Sequence, residues 1–146
     1  MINIVNYNID LQTEPGINIH DITSQVNEIL AISKIQNGQV IVFGKHTTTA
    51  LGINEYEERL LEDIKTHFAQ FAPADRPYLH NDLHLRNVPP DEPKNAHSHL
   101  IALSLNNSET IPIVEGKLAL GTYQSILFFE LDGARKRRVL VQVCGN

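Results

Sequence analysis

Histidine carries most of the chemical signal in this sequence. His46 follows an apolar run at residues 40–43 and precedes three consecutive threonines, and four more histidines lie between residues 80 and 99. An imidazole can act as a general acid or base near neutral pH, and it is a common zinc ligand. The end of a buried strand is a frequent place for such a group, although a histidine there can also simply form a hydrogen bond.

The spacing of the later histidines restricts how they can act together. If Asn95 caps a helix, His97 and His99 lie two positions apart on opposite sides of it and would not bind one ion together. His99 precedes an apolar residue and is expected to face inward. We therefore choose His46, His80 and His99 as a candidate set for a divalent ion, zinc or magnesium. The alternative is that these histidines are solvated loop residues.

Two carboxylates are candidates for catalysis. Glu55 follows the threonine segment and could act as a general base or orient a histidine, or it could simply be an acid at the start of a helix. Glu130 follows four apolar residues in a predicted buried strand, where a lone carboxylate is costly unless it is paired. Its natural partners are Arg135 and Arg137, and this pairing could be purely structural.

The four consecutive basic residues Arg135, Lys136, Arg137 and Arg138 form a local cationic segment. In a strand, alternation places Arg135 and Arg137 on one face and Lys136 and Arg138 on the other. One pair could hold a phosphate group while the other is solvated. The alternative is that the whole run is a solvated edge.

Apolar periodicity predicts three helices that position these groups. The first begins at Asp21 or Thr23 and ends at residues 37–38, and the second follows Glu55 and ends before Pro73. The third begins after Asn95 and ends near residue 106. Between the second and third helices, residues 72–94 lack periodicity and contain five of the seven prolines. A connection of this length is more often functional than idle.

The remaining segments read as strands. Alternating or continuous apolar residues indicate strands at 2–4, 17–19, 39–43, 110–114, 117–120, 123–131 and 137–144. Residues 125–129 do not alternate and are expected to be covered on both faces. The Asp-Gly pair at 132–133 predicts a hairpin between the last two strands. We expect an α+β fold with mixed, mostly antiparallel sheet structure and about three helices, in a single domain over residues 1–146.

Bulk properties exclude several classes of protein. The chain of 146 residues has a net charge of -5, which argues against nonspecific nucleic-acid binding. No window has the length of a membrane span, and the first residues lack the pattern of a signal peptide. The single cysteine, Cys144, excludes an internal disulfide. We therefore expect a cytoplasmic protein that binds neither membranes nor nucleic acid.

Six segments in register resemble one family over nearly the whole chain. They are HTTTALGINE at 46–55, YLH at 78–80, NAHSHL at 95–100, IPIVEGKL at 111–118, LGTYQ at 120–124 and ELDGAR at 130–135. Together they resemble the YjbQ family, also called UPF0047 or secondary thiamine-phosphate synthase enzymes. The sequence departs from that family's pattern at Tyr123, at Ala134 and at residues 106–107, and the last departure could reshape the lip of a pocket.

The resemblance implies a homotrimer with a polar pocket near subunit boundaries. The implied activity joins a hydroxymethylpyrimidine diphosphate to a thiazole phosphate with loss of diphosphate, as a secondary activity on small phosphorylated molecules. The candidate catalytic residues are His46, Glu55, Glu130 and Arg135. The candidate substrate-binding residues are Thr47, Thr48, Asn54, Asn95, Gln124 and Arg137. Two alternatives stay open: a metal-dependent hydrolase, and a trimeric protein that binds a small ligand without chemistry.

Overall fold

The computed structural model describes all 146 residues. Its helices are α1 (Thr23–Ser33), α2 (Glu58–Phe71) and α3 (Ala96–Ser104). Its strands are β1 (Asn3–Gln12), β2 (Gly16–Asp21), β3 (Gly38–Gly44), β4 (Thr49–Asn54), β5 (Ser108–Val114), β6 (Lys117–Leu118), β7 (Ser125–Gly133) and β8 (Lys136–Gly145). Two short 3₁₀ turns, Leu79–Asn81 and Leu83–Leu85, lie in the proline-rich connection before α3.

The strands form two antiparallel sheets. The larger sheet has the order β1-β8-β3-β5-β6, and the smaller has the order β2-β7-β4. All of the strand pairs are antiparallel. With three helices in one domain, this arrangement confirms the predicted α+β class.

The smaller sheet forms the middle layer of the molecule because β7 is buried on both faces. Ile126 and Phe128 pack with α1 and with the valines and isoleucines of the larger sheet. Leu127, Phe129 and Leu131 pack on the other side against α2 and α3. The absence of alternation in this strand therefore reflects burial between two layers, as the sequence predicts.

The outer face of the larger sheet is covered by nothing in the chain. We call it the open face, and it consists of alternate residues of four strands: Ile4, Asn6 and Asn8 of β1, Leu140, Gln142 and Cys144 of β8, Gln39, Ile41 and Phe43 of β3, and Thr110, Pro112 and Val114 of β5. None of these residues is charged. Beyond them, β1 and β8 continue to the exposed ion pair between Asp10 and Arg138.

Three details of the predicted elements are wrong. The last two strands do not form a hairpin, because β7 pairs with β2 and β4 while β8 pairs with β1 and β3. Residues 133–136 carry the chain from one sheet to the other, so the Asp-Gly signal marks a crossover. The first helix ends at Ser33, earlier than predicted, because Lys34 adopts a left-handed conformation with φ of 60°. Strand β4 is missing from the predicted strands, because it begins in a polar segment.

The start of α3 also differs from the prediction. Asn95 occupies the N-cap position, but its side chain makes no capping hydrogen bond. The side chain of Asn81 accepts from the Ala96 N–H instead, at 3.1 Å. This exchange releases the Asn95 amide for another contact at the candidate site.

None of the helices has the length and apolar character needed to cross a membrane.

Candidate functional site

A cavity of about 500 Å³ brings together two histidines that are far apart in sequence. His46 lies just beyond β3, and His99 lies in α3. The cavity, which we call the histidine cavity, is lined by His46, Thr47, Thr49, His99, Ala102, Leu103, Leu105, Asn106, Asn107 and Ser108. Its volume is in the range of small-molecule sites. Asn106 and Asn107 are part of its wall, at the position where the sequence departs from the YjbQ pattern.

Thr49 gives the histidine cavity an unused polar group. Its Oγ1 is buried and has no hydrogen-bond partner in the chain. A buried hydroxyl without a partner is costly unless a water or a ligand satisfies it. The hydroxyl of Thr49 is therefore an unpaired polar group within the wall of the cavity.

The backbone of β8 fixes the tautomer of His46. Strand β3 ends with Gly44 opposite Val139, so the next N–H of β8 on that side, from Arg138, has no partner in β3. That N–H donates to Nε2 of His46 at 2.9 Å. An accepting ring nitrogen carries no proton, so the neutral imidazole holds its proton on Nδ1. Nδ1 is left free to donate to a ligand.

The environment also keeps His46 neutral. Partial burial and the positive charge of Arg137 hold its pKa below the usual value of 6.5. Protonation would also break the hydrogen bond from the Arg138 N–H. His46 is therefore a hydrogen-bond donor through Nδ1–H at neutral pH, and Nε2 is not available to act as a base.

His99 stands among several cations. Its ring packs edge-on against that of His80, with the centroids 4.7 Å apart. Partial burial lowers the pKa of His99, His80, Arg86 and Arg135 lower it further, and Asp132 opposes them. The sequence-based preference for His99 over His97 agrees with this placement, because His99 lines the cavity.

Asp132 holds Arg135 and Asn95 beside this group. Its Oδ2 accepts from Arg135 Nη2 at 2.7 Å and from Asn95 Nδ2 at 2.6 Å. The Oδ1 of Asn95 is buried without a partner. Arg135 keeps part of its guanidinium exposed, at 37% of the side chain. The region near His99 therefore offers a cation that could bind an anionic group.

Glu130 and Arg137 form a buried ion pair between the two sheets. Arg137 donates through Nε to Oε1 at 2.7 Å and through Nη2 to Oε2 at 2.6 Å. Thr13 and the Asp132 N–H also donate to this carboxylate, while Thr48 accepts from Arg137 Nη2 at 2.9 Å. Burial raises the pKa of Glu130, but these hydrogen bonds outweigh it and hold the pKa below its usual value. Both carboxylate oxygens of Glu130 and the Nε and Nη2 groups of Arg137 are engaged within the chain, which indicates a structural role.

The other predicted residues lie at the opposite end of β4. Asn54, Glu55 and Gln124 line a separate cavity of about 390 Å³ with Ile53 and Tyr123. Five residues of extended chain, about 17 Å, separate Thr49 from Asn54. Within one chain, Glu55 is therefore too far from His46 to orient its imidazole.

The histidines predicted to bind a metal ion do not form one group in this chain. No cluster of three or more His, Cys, Asp or Glu side chains is arranged to hold an ion. His80 and His99 are neighbours, but Nε2 of His46 already accepts the Arg138 N–H. Three ligands on one ion must converge with free lone pairs. The set His46, His80 and His99 therefore does not fit a single ion within one chain.

Sequence reasoning missed two kinds of residue at this site. Asp132 was assigned to a turn, and only its spacing from Arg135 could have indicated the observed ion pair. Ala102, Leu103 and Leu105 line the cavity although they carry no chemical signal. Leu103 is 81% exposed, and an apolar residue outside the buried stripe of a helix could have marked the rim of a cavity.

Known proteins are similar to this chain over most of its length. The family model described as UPF0047 protein YjbQ-like matches residues 7–146. A UPF0047 protein of Methanothermobacter thermautotrophicus is 43% identical over 138 residues, which are 94% of this chain and 90% of that protein. Another, of Archaeoglobus fulgidus, is 43% identical and covers 92% of this chain and 97% of its own length.

A solved structure shows the same architecture. The crystal structure of a YbjQ-like protein of unknown function from Sulfolobus solfataricus has a TM-score of 0.90 and 36% identity, and the match covers 100% of both chains. The hypothetical protein APE1520 from Aeropyrum pernix has a TM-score of 0.88, with 36% identity and 97% of this chain covered.

Proposed function

Since the chain belongs to the UPF0047 YjbQ-like family, we propose that it is a transferase of the thiamine-phosphate synthase type. It would join two small phosphorylated molecules in the histidine cavity. The observation that carries the proposal is the convergence of His46 and His99 on one cavity of about 500 Å³. Arg135 is outside the cavity lining, but its side chain is partly exposed and its charge acts on His99. Polar donors around a cavity of this size suit a small anionic substrate.

The proposed reaction requires stabilisation of a departing diphosphate. The bond from the pyrimidine methylene carbon to the diphosphate oxygen breaks, and its electron pair leaves with the diphosphate. The thiazole ring nitrogen supplies the electron pair of the new carbon–nitrogen bond, so no base is needed to deprotonate it. The enzyme must instead place donors where negative charge develops.

The residues of the cavity can provide these donors. The Nδ1–H of His46 is fixed by the contact of Nε2 with the backbone, so it is oriented before substrate binds. Arg135 is held by Asp132 and can contribute positive charge from the side of His99. Preorganised donors of this kind cost little reorganisation during the reaction.

A substitution that separates the two roles of His46 tests the proposal. The side-chain amide of His46→Gln can still accept from the Arg138 N–H, but its own NH2 group sits on a longer, flexible side chain and does not reproduce the position of the fixed Nδ1–H. We expect about a 100-fold or greater loss of thiamine-phosphate formation with little change in thermal unfolding. The control is His67→Gln, because His67 is exposed on α2 away from the cavity. Equal turnover by both variants and the native chain would refute the proposed role.

A second candidate function is binding of a small phosphorylated ligand without chemistry. It is favoured by the nature of the donors, because the Nδ1–H of His46 and the Arg135 guanidinium would hold a phosphorylated ligand whether or not a bond is broken. This alternative predicts that thiamine phosphate raises the melting temperature, with no product from the two precursors. Thermal stabilisation by the product and a turnover assay on the same sample separate the two functions.

We also propose that copies of the chain assemble as a homotrimer through the open face. Support comes from its composition, since the centre of the face has no charged residue although Ile4, Phe43 and Val114 are 60%, 40% and 53% exposed. The charged residues on the same side of the sheet, Asp10, Arg138 and Lys117, lie at its edges. Charged residues are depleted in interface cores. Sedimentation should show a trimer that Phe43→Glu dissociates, whereas Gln70→Glu on the exposed side of α2, away from the open face, should not. A monomeric native chain at micromolar concentration would contradict this assembly.

A further inference from the structure

A second cavity lies on the other side of His46. It has a volume of about 580 Å³ and is formed where the first residues of β8 meet the last residues of β1. We call it the basic groove; its lining includes His46, Asp10, Gln12, Lys136, Arg137 and Arg138. His46 is the one residue that lines both this groove and the histidine cavity.

The charges of the basic groove are unevenly engaged. Arg137 points inward and is neutralised by Glu130, with only 3% of its side chain exposed. Arg138 is held by Asp10, the only acid in the lining, through contacts of 2.7 and 3.4 Å. Lys136 is exposed and forms neither a salt bridge nor a side-chain hydrogen bond. The groove therefore has an excess of positive charge in a chain whose net charge is -5.

The groove exists because β3 is shorter than β8. Strand β3 ends at Gly44 opposite Val139, while β8 continues beyond it to Lys136 and pairs there only with β1. His46 fills the position that the next residue of β3 would otherwise take, by accepting the Arg138 N–H. Lys136 and Arg138 alternate with the inward Arg137, so both have the same orientation in the strand.

We propose that the basic groove is an anion subsite that binds the phosphoryl group of one substrate, with Lys136 as its principal free cation. This inference rests on the proposed function, in which two phosphorylated molecules meet at His46. Arg135 serves the side of His99 through its contact with Asp132, so it does not supply the charge of the groove. Two anionic substrates that react with each other need separate cationic sites, because their phosphates repel one another.

Calorimetric titration with inorganic pyrophosphate tests this subsite directly. The titration is made in an Arg135→Met background, which removes the cation on the side of His99. We expect Lys136→Gln in that background to weaken pyrophosphate binding about fivefold at low salt, and the difference should shrink as salt is added. Asp10→Asn should strengthen binding about threefold, because it removes the only acid of the groove and releases Arg138.

Lys117→Gln is the matched control, since Lys117 is an exposed lysine of β6 at the opposite edge of the same sheet. It should leave pyrophosphate binding unchanged. Equal affinities for the Lys136 variant and its parent, or no gain from Asp10→Asn, would overturn the subsite. Tighter binding of a single-stranded oligonucleotide than of pyrophosphate would also overturn it, because the groove would then serve a polymer.

The outcome is separable from that of the proposed reaction. If pyrophosphate binding depends on Lys136 while the precursors give no thiamine phosphate, the subsite stands and the transferase activity fails. If turnover occurs without any dependence of pyrophosphate binding on Lys136, the reaction stands and the subsite fails. Both experiments use the full chain in its native assembly.

Discussion

The inner and outer sides of β8 use the same type of residue for different purposes. Arg137 on the inner side is buried and donates three hydrogen bonds, two to the carboxylate of Glu130 and one to the hydroxyl of Thr48. Arg138 on the outer side meets only Asp10, and both are exposed. Neighbouring positions in one basic run thus differ by burial and by the number of partners.

The difference shows what burial does to a charge. An enclosed guanidinium must be paired because the protein interior solvates it poorly, and it is then no longer available to a ligand. An exposed cation is solvated by water, so its ion pair contributes little to stability and can exchange for a substrate phosphate. The inner side of β8 therefore holds the sheets together, and the outer side remains available for binding.

Removal of the inner arginine should give the largest effect. Arg137→Met leaves the buried Glu130 carboxylate without its partner, and we expect the free energy of unfolding to fall by about 3–5 kcal/mol. Urea denaturation measures this change. The double variant with Glu130→Gln should recover a large part of the loss, because no unpaired charge then remains. A loss that is additive in the double variant would contradict the ion-pair explanation.

The effect of pH on stability should be smaller than the effect of Arg137→Met. It depends on His46, which contacts β8. Its pKa is lower in the folded chain than the usual 6.5, so the unfolded chain binds more protons as pH falls below that value. Stability should therefore be complete above pH 6.5 and decline towards the folded pKa. Denaturation at pH 7.5 and 5.5 should show a smaller difference for His46→Gln than for the native chain. The same loss of stability between pH 7.5 and 5.5 in both proteins would contradict this role of His46.

The outer ion pair should give the smallest effect. Arg138→Met removes the exposed contact with Asp10, and we expect the urea midpoint to stay close to that of the native chain. The same denaturation experiment measures it beside Arg137→Met. A comparable loss of stability in both variants would show that burial does not distinguish the two sides.

Local sequence signals predicted much of the fold and part of the site. The apolar stripe of α2, the proline after it and the continuous apolar run of β7 indicated their elements because each depends on local periodicity. The pairing of β8 with β1 and β3 depends on contacts between distant segments, so the Asp-Gly pair predicted the wrong partner. Whether a charged side chain is buried and must be paired, or is exposed and can bind a ligand, likewise depends on the whole fold.

The histidines illustrate the same division. The sequence favoured His99 over His97 because of its expected inward face and grouped it with His46 and His80 as candidate metal ligands, and the structure brings only the rings of His80 and His99 into contact. The hydrogen bond from the Arg138 N–H to His46 could not be predicted, because it forms where β8 extends beyond the end of β3 in the sheet. Glu55 was grouped with His46 by proximity in sequence, whereas β4 carries the two residues to different cavities.

Whether both histidines of the cavity serve one ligand can be tested directly by calorimetry. Thiamine phosphate is titrated into the native chain and into the double variant His46→Gln, His99→Gln. We expect the native chain to bind the ligand and the double variant to lose at least about tenfold in affinity, because both imidazole rings with their fixed donor positions are removed from one cavity. Circular dichroism would verify that the variant is folded. Native affinity in the folded double variant would contradict the claim that both histidines serve one ligand.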